Sequence, residues 1–150
     1  MTITWTDDLN TGIHEIDVHN RRLVDFINTL CAAKQTGDRA QVGKVLDDLL
    51  DFVCNHFMFE EHLMEEANYE FRAAHEKIHE IFAKRLAAFR GRFANGENVC
   101  DELHDMLKGW MDVHIKQEDK AYASSVQQVI EQEGGQTWVS GIMHRLFGGH

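Results

Sequence analysis

Three pairs of potential metal donors stand out in the chain. His75-Glu76-Lys77-Ile78-His79 places two histidines four apart. On a helix such residues differ by about 40° around the axis, so both rings can reach one ion. His56 and Glu60 repeat the spacing, and His114 and Asp119 stand five apart. Four imidazoles and two carboxylates are too many for one tetrahedral zinc. They suit two transition ions bridged by carboxylates, with imidazoles as terminal ligands. Asp119 is about 140° from His114 on an ideal helix, so the backbone must bend or loosen before it can reach inward; Glu118, at i+4, is its geometric rival. The chain's 10 histidines do not make this case by number; their spacing does.

The elements that must position these pairs are helices. Residues 1–16 read as an irregular arm in which Trp5, Leu9 and Ile13 are apolar anchors, and Asp17 reads as an N-cap. A first helix to about Lys34 carries Leu23, Val24, Ile27, Leu30 and Cys31 at helical spacing. Gly37 suits its C-cap and Asp38 the next N-cap. The second helix, about 39–66, turns Val42, Val45, Leu46, Leu49, Phe52, Val53, His56, Glu60, Leu63 and Met64 inward. The third, about 70–93, turns in Phe71, His75, Ile78, His79, Phe82, Leu86, Phe89 and Phe93. The fourth, about 98–131, turns in Val99, Leu103, Met106, Leu107, Trp110 and His114. Short breaks make sequential helices antiparallel neighbours, which predicts an all-α, up-down-up-down four-helix bundle over residues 1–131. His56/Glu60, His75/His79 and His114 then fall at one depth in the core. Gly43, Gly91 and Gly109 lie inside helical stretches, where close helix approach is the one reason the pattern offers. Residues 132–150 form an amphipathic tail, with Trp138, Val139, Ile142, Met143, Leu146 and Phe147 on one stripe. It is expected to dock back on the bundle, with a protein partner or a membrane surface as the alternatives.

Composition narrows the function. A net charge of −10 argues against binding a phosphate backbone, which needs clustered Lys and Arg. No apolar run is long enough to span a bilayer, so stable membrane insertion is not expected. Cys31, Cys54 and Cys100 are odd in number and widely spaced, unlike a secreted disulfide framework. With no basic or apolar leader at the start, they point to the cytoplasm.

The combination His56-Phe57-Met58-Phe59-Glu60-Glu61, His75-Glu76-Lys77-Ile78-His79 and Trp110-Met111-Asp112-Val113-His114-Ile115-Lys116-Gln117-Glu118-Asp119-Lys120 resembles the hemerythrin family, in its bacterial single-domain form. Gly12-Ile13-His14-Glu15-Ile16-Asp17 fits the lead into that family's first helix, and the likeness covers about residues 3–122. The resemblance implies two non-haem irons with a bridging oxo or hydroxo group. It also implies reversible O2 binding without turnover, with O2 held as peroxide on the open iron. On that likeness His75, His79 and His114 hold one iron, His56 belongs to the other, and Glu60 and Asp119 bridge them. Leu23, Phe59, Trp110, Met111 and Ile115 become the apolar wall of the O2 pocket, or ordinary core. O2 is the expected ligand, with nitric oxide or small anions as others.

One departure matters. The family reads Ile-Asp-x-Gln-His where this chain reads Ile16-Asp17-Val18-His19-Asn20, so Asn20 occupies a ligand position and His19 the one before it. A one-residue shift turns a side chain by about 100° and moves it by about 1.5 Å. Either the helix start is reshaped so that His19 points in, or the second iron lacks that imidazole, with water or the Asn20 carbonyl oxygen in its place.

Other readings compete. His75-Glu76-x-x-His79 matches the zinc-peptidase pattern, with Glu76 as base and Glu97 or Glu102 as a third ligand. That reading leaves His56, Glu60, His114 and Asp119 unexplained and lacks a strand for substrate. A ferritin-like oxidase needs two inward Glu-x-x-His motifs, and only Glu76-Lys77-Ile78-His79 fits. A sensory module for O2, nitric oxide or iron state, acting through the tail, is a further alternative. So is a bundle without metal.

Overall fold

A computed structural model describes residues 4–132 and 136–147, apart from the side chains of Glu118 and of residues 136–138. The helices are α1 (His14–Thr36), α2 (Arg39–Glu66), α3 (Arg72–Ala94), α4 (Cys100–Trp110), a π-helical stretch (Met111–Asp119), α5 (Lys120–Gln132) and α6 (Gln136–Phe147). No strand occurs among the described residues. α1 packs on α2, α2 on α3, and α1 on α4, as expected for an antiparallel bundle with short connections.

Local chemistry explains the boundaries. Gly37 takes the left-handed conformation (φ 71°) that closes α1, and the Asp38 side chain accepts from the Gln41 N–H to open α2. These are the two halves of a helix–helix turn. Asp17 is not the N-cap that its position suggested. α1 begins at His14, so Asp17 sits in the first turn and reaches back into the arm. Its Oδ1 accepts from the Thr11 N–H (2.7 Å) and hydroxyl (2.8 Å), and its Oδ2 from the Gly12 N–H (3.1 Å). The arm before it makes one 3-10 turn at Asp7–Leu9, and Leu9 and Ile13 are buried.

Two apolar cores lie on either side of the histidine layer. The larger includes Val24, Ile27, Leu30, Leu46, Leu49, Leu86, Leu103 and Leu107. The smaller joins Ile16, Phe59, Leu63, Met64, Tyr122 and Val126 to Val139 and Ile142 of α6. The tail thus docks on the bundle, against α2 and α5, and Arg145 pairs with Glu66 at 2.9 Å. Phe71 departs from its expected inward face and is 59% exposed. α3 starts only at Arg72, so Phe71 belongs to the turn and not to the helical register. A side chain at Gly43 would meet the Phe93 ring at 3.2 Å, which gives that glycine its packing reason. Nothing lies within 4 Å of the Cβ position at Gly91 or Gly109, so close approach does not explain them.

Candidate metal centre

α2, α3 and the segment joining α4 to α5 deliver their donors to one layer. One ligand atom from each of Glu60, His75, His79, His114 and Asp119 lies within 4.8 Å of all the others, and all five residues are buried. His79 Nε2 is 3.3 Å from His114 Nε2. Asp119 Oδ1 is 3.0 Å from His114 Nε2 and 3.2 Å from His75 Nε2. Glu60 Oε2 is 3.9 Å from His75 Nε2, while its Oε1 meets His56 Nε2. The two Glu60 oxygens therefore face opposite sides, one toward the five-donor group and one toward His56.

Asp119 arrives by the loosening its spacing required. Met111–Asp119 is π-helical, with a hydrogen-bond ladder that closes at i+5 and brings residues five apart onto one face. Such stretches are uncommon and concentrate at functional sites.

His75 Nε2 and both Asp119 oxygens are buried without a hydrogen-bond partner. Native interiors seldom leave such atoms unsatisfied. Donors that approach one another without hydrogen-bonding are arranged for a common cation, and this set of imidazoles and carboxylates fits a transition ion. The electrostatics agree. Burial pushes His79 down to about 3, against the opposing pull of Glu60, so its ring is neutral at pH 7. Burial alone would raise the Glu60 carboxyl, but His56, His79 and His75 facing it hold it well below its usual range. Neutral imidazole and ionised carboxylate are the forms that bind metal.

Aromatic rings close the layer. Trp110 stacks on His114 (3.8 Å, 19°) and Phe57 on His79 (3.8 Å, 3°). Of the other expected wall residues, Leu23, Phe59, Met111 and Ile115 are all buried.

The departure on α1 resolves into two placements. The His19 ring lies edge-on to His56 at 5.0 Å, and His19 Nδ1 is 2.9 Å from His56 Nδ1, the nitrogen away from Glu60. Burial, then His56, pushes His19 down to about 4. Asn20 is 2% exposed, and its Nδ2 is buried without a partner. His19 is thus outside the five-donor group and behind His56.

Glu76 is half-exposed and lies 3.6 Å from Arg72. It is not among the five gathered donors. Reasoning from spacing missed two carboxylate contacts. Tyr122, fully buried, donates its hydroxyl to Glu60 Oε2 at 2.7 Å; its position one turn after Asp119 was the available signal. Glu61 sits 3.6 Å from His79 Nδ1, on the outer side of that ring.

Residues 11–125 match the Hemerythrin HHE cation binding domain family. The chain belongs to the hemerythrin family. It is 44% identical to a bacteriohemerythrin of Stenotrophomonas maltophilia over 97% of this chain and 98% of that protein. A bacteriohemerythrin of Methylococcus capsulatus is 32% identical over 80% of this chain and 93% of that one. A crystal structure of wild-type hemerythrin superposes with a TM-score of 0.79 at 30% identity, covering 84% and 98% of the two chains. The hemerythrin likeness thus extends through the three segments that carry the five gathered donors. Among the described residues, no helix is long and apolar enough to cross a membrane.

Proposed function

We propose that the chain is a non-haem di-iron protein that binds dioxygen reversibly. The observation that carries this reading is the gathering of five buried donors from three segments of a hemerythrin fold within 4.8 Å. His75, His79 and His114 would hold one iron; His56 would belong to the other, with Glu60 and Asp119 shared between the two and an oxo or hydroxo group as the further ligand the family likeness implies. The orphaned Asp119 Oδ2 supports a second position, since one ion beside Oδ1 would leave it buried without a partner.

When bound, an iron pair would supply reversible two-electron chemistry toward dioxygen. The chain's own part is binding, orientation and exclusion of water. His19 holds the outer nitrogen of His56 and so fixes the face its ring presents. Tyr122 fixes the Glu60 carboxylate. Leu23, Phe59, Met111 and Ile115, with Trp110 over His114, keep the open position apolar, which disfavours charged leaving species and water. Nitric oxide and small anions fit the same opening. Asn20 in place of an imidazole leaves the second position one strong donor short, so its iron is held less tightly than the first. The three free thiols suit a reducing cytoplasm.

A regulatory reading draws on α6, which packs on the cluster that contains Phe59 and Tyr122. Ligand state at the irons would then reach the tail through two residues.

Metal content measured with optical spectra under air and under vacuum tests the proposal. The expected result is about two irons per chain, one of them removed first by chelator, with an oxygen-dependent charge-transfer band. Absence of iron after aerobic and anaerobic reconstitution would leave only a helical bundle.

A further inference from the structure

A pocket lies away from the histidine layer, where α1 meets α4. It encloses about 270 Å³ and is lined by Cys31 and Lys34 of α1 and by Cys100, Asp101, His104 and Asp105 of α4, with Gln35. Cys100 and His104 are four apart, so thiol and imidazole share one helix face. Cys31 enters from the opposite helix. All three cysteines are free, and this pocket draws in two of them.

His104 is the observation that calls for a ligand. It is 5% exposed, and neither ring nitrogen has a hydrogen-bond partner. Asp105 is near, with Oδ1 3.7 Å from Nδ1, but beyond hydrogen-bond reach. A histidine ring always has a donor, an acceptor or both to place. Leaving them unmade in the interior costs about 1–3 kcal/mol per group. Elsewhere in this chain, buried nitrogens and oxygens left in that condition belong mainly to the centre built for iron.

We propose that Cys31, Cys100 and His104 form a second metal site, selective for a thiophilic ion of the zinc class. Two thiolates and an imidazole are donors that zinc prefers and that hard cations do not. Asp105 or Asp101 at the rim supplies a fourth ligand, and the Lys34–Asp101 pair (2.5 Å) lies across the opening. The three donors line one cavity but stand apart. Among the described residues, only the iron centre has its donors within 4.8 Å of one another. Uptake therefore needs the Cys31 and Cys100 side chains to turn into the cavity. Burial pushes the Cys100 thiol up, so each thiol that binds gives its proton to solvent as the metal–sulfur bond forms. The same burial makes Cys100 a poor nucleophile, which favours ligation over covalent chemistry.

Cobalt(II) is the probe, because a thiolate ligand gives it a near-ultraviolet charge-transfer band that a centre of imidazoles and carboxylates cannot. Iron-loaded, full-length protein is titrated anaerobically with Co2+ under a phosphine reductant, and then with Zn2+. The expected result is one equivalent of cobalt with that band, displaced by zinc, at unchanged iron content. Cys31→Ser/Cys100→Ser and His104→Gln lose the bound equivalent, while Cys54→Ser keeps it. Should the double variant fail a circular dichroism check, Cys31→Ser alone carries the test, since that side chain is only half-buried. No band, a band that survives loss of Cys31, or cobalt uptake matched by iron release overturns the proposal and leaves His104 satisfied by water.

Discussion

The Tyr122 hydroxyl donates to Glu60 Oε2 at 2.7 Å, although the residues are 62 apart in sequence. Tyr122 is fully buried, and burial, with the Glu60 and Asp119 carboxylates next, raises its own ionisation well above the ordinary range. It therefore stays a donor at any working pH. Without it, Glu60 Oε2 loses the hydroxyl hydrogen bond that satisfies it in the interior.

Tyr122→Phe keeps the ring and removes that donor. The expected outcome is a loss of about 1–3 kcal/mol in the metal-free protein, from the oxygen left unpaired. Iron affinity should also fall about 10- to 100-fold, because the carboxylate is no longer fixed. Urea denaturation of metal-free protein reads the first effect and chelator competition the second. Wild-type values in both would mean that the contact orients nothing.

Asn20 and His19 make a separable pair. Asn20→His puts an imidazole where the family resemblance implies a ligand, and the proposed second iron should become as resistant to chelator as the first. His19→Ala frees the outer nitrogen of His56 and should weaken the proposed second iron while sparing the one proposed at His75, His79 and His114. If His19→Ala strips both irons together, or Asn20→His changes neither, the assignment of His19 as an orienting partner is wrong.

The bundle, the helix boundaries within a few residues, and the gathering of Glu60, His75, His79 and His114 at one depth were legible because each rests on helical periodicity, and His56 was expected beside them and meets Glu60 from the other side. Asp119 was legible only as a demand. An i+5 pair asks for a loosened helix, and Met111–Asp119 supplies one, but spacing alone left Glu118 in contention. What escaped notice depends on rotamers and on contacts between distant segments. Tyr122 and Glu61 meet the site through side chains whose direction no period encodes. Asp17 looked like a cap because local sequence does not tell whether a carboxylate turns forward into its helix or back to Thr11 and Gly12. Phe71 looked inward because the third helix was begun two residues early. His104 passed as one histidine among ten, since its significance is the absence of any hydrogen-bond partner.

Metal-free protein should lose stability as pH falls from 7 toward 4. His79 is held at about 3 and His19 at about 4, both mainly by burial, against an ordinary value of 6.5. The unfolded chain takes up these protons as pH drops through 6.5, while the folded chain refuses them until about 4 and then 3. The unfolded state binds more protons throughout that window, so acid favours it, by up to about 1.4 kcal/mol per pH unit for each ring. Stability from this source is complete above about 6.5. Urea midpoints of metal-free protein between about pH 7.5 and 4.5 check this, and a flat profile would contradict it.

Glu76→Gln should leave iron content, spectrum and stability near wild type, because the side chain is half-exposed and pairs with Arg72, and exposed pairs contribute about 0–1 kcal/mol. Loss of metal uptake in this variant would return the His75-Glu76-x-x-His79 peptidase reading to consideration.

Val139 and Ile142 are fully buried on a helix that packs against α2 and α5 alone among its stronger contacts. Ile142→Ala would cost about 2–5 kcal/mol in a rigid core. The expected loss is smaller, capped by the free energy of undocking, with α6 leaving while the bundle stays folded. The expected signature is faster proteolysis of the segment beyond Gln132, with a smaller shift in the main unfolding transition than the cavity value implies. Undocking uncovers the cluster that holds Phe59 and Tyr122, so on the proposed function water gains access to the metal layer and the oxygen-loaded protein should oxidise faster. Deletion of residues 135–150 should reproduce that oxidation rate. If Ile142→Ala lowers the main transition by the full cavity value without faster proteolysis of the tail, α6 is an integral part of the core and not a cover over it.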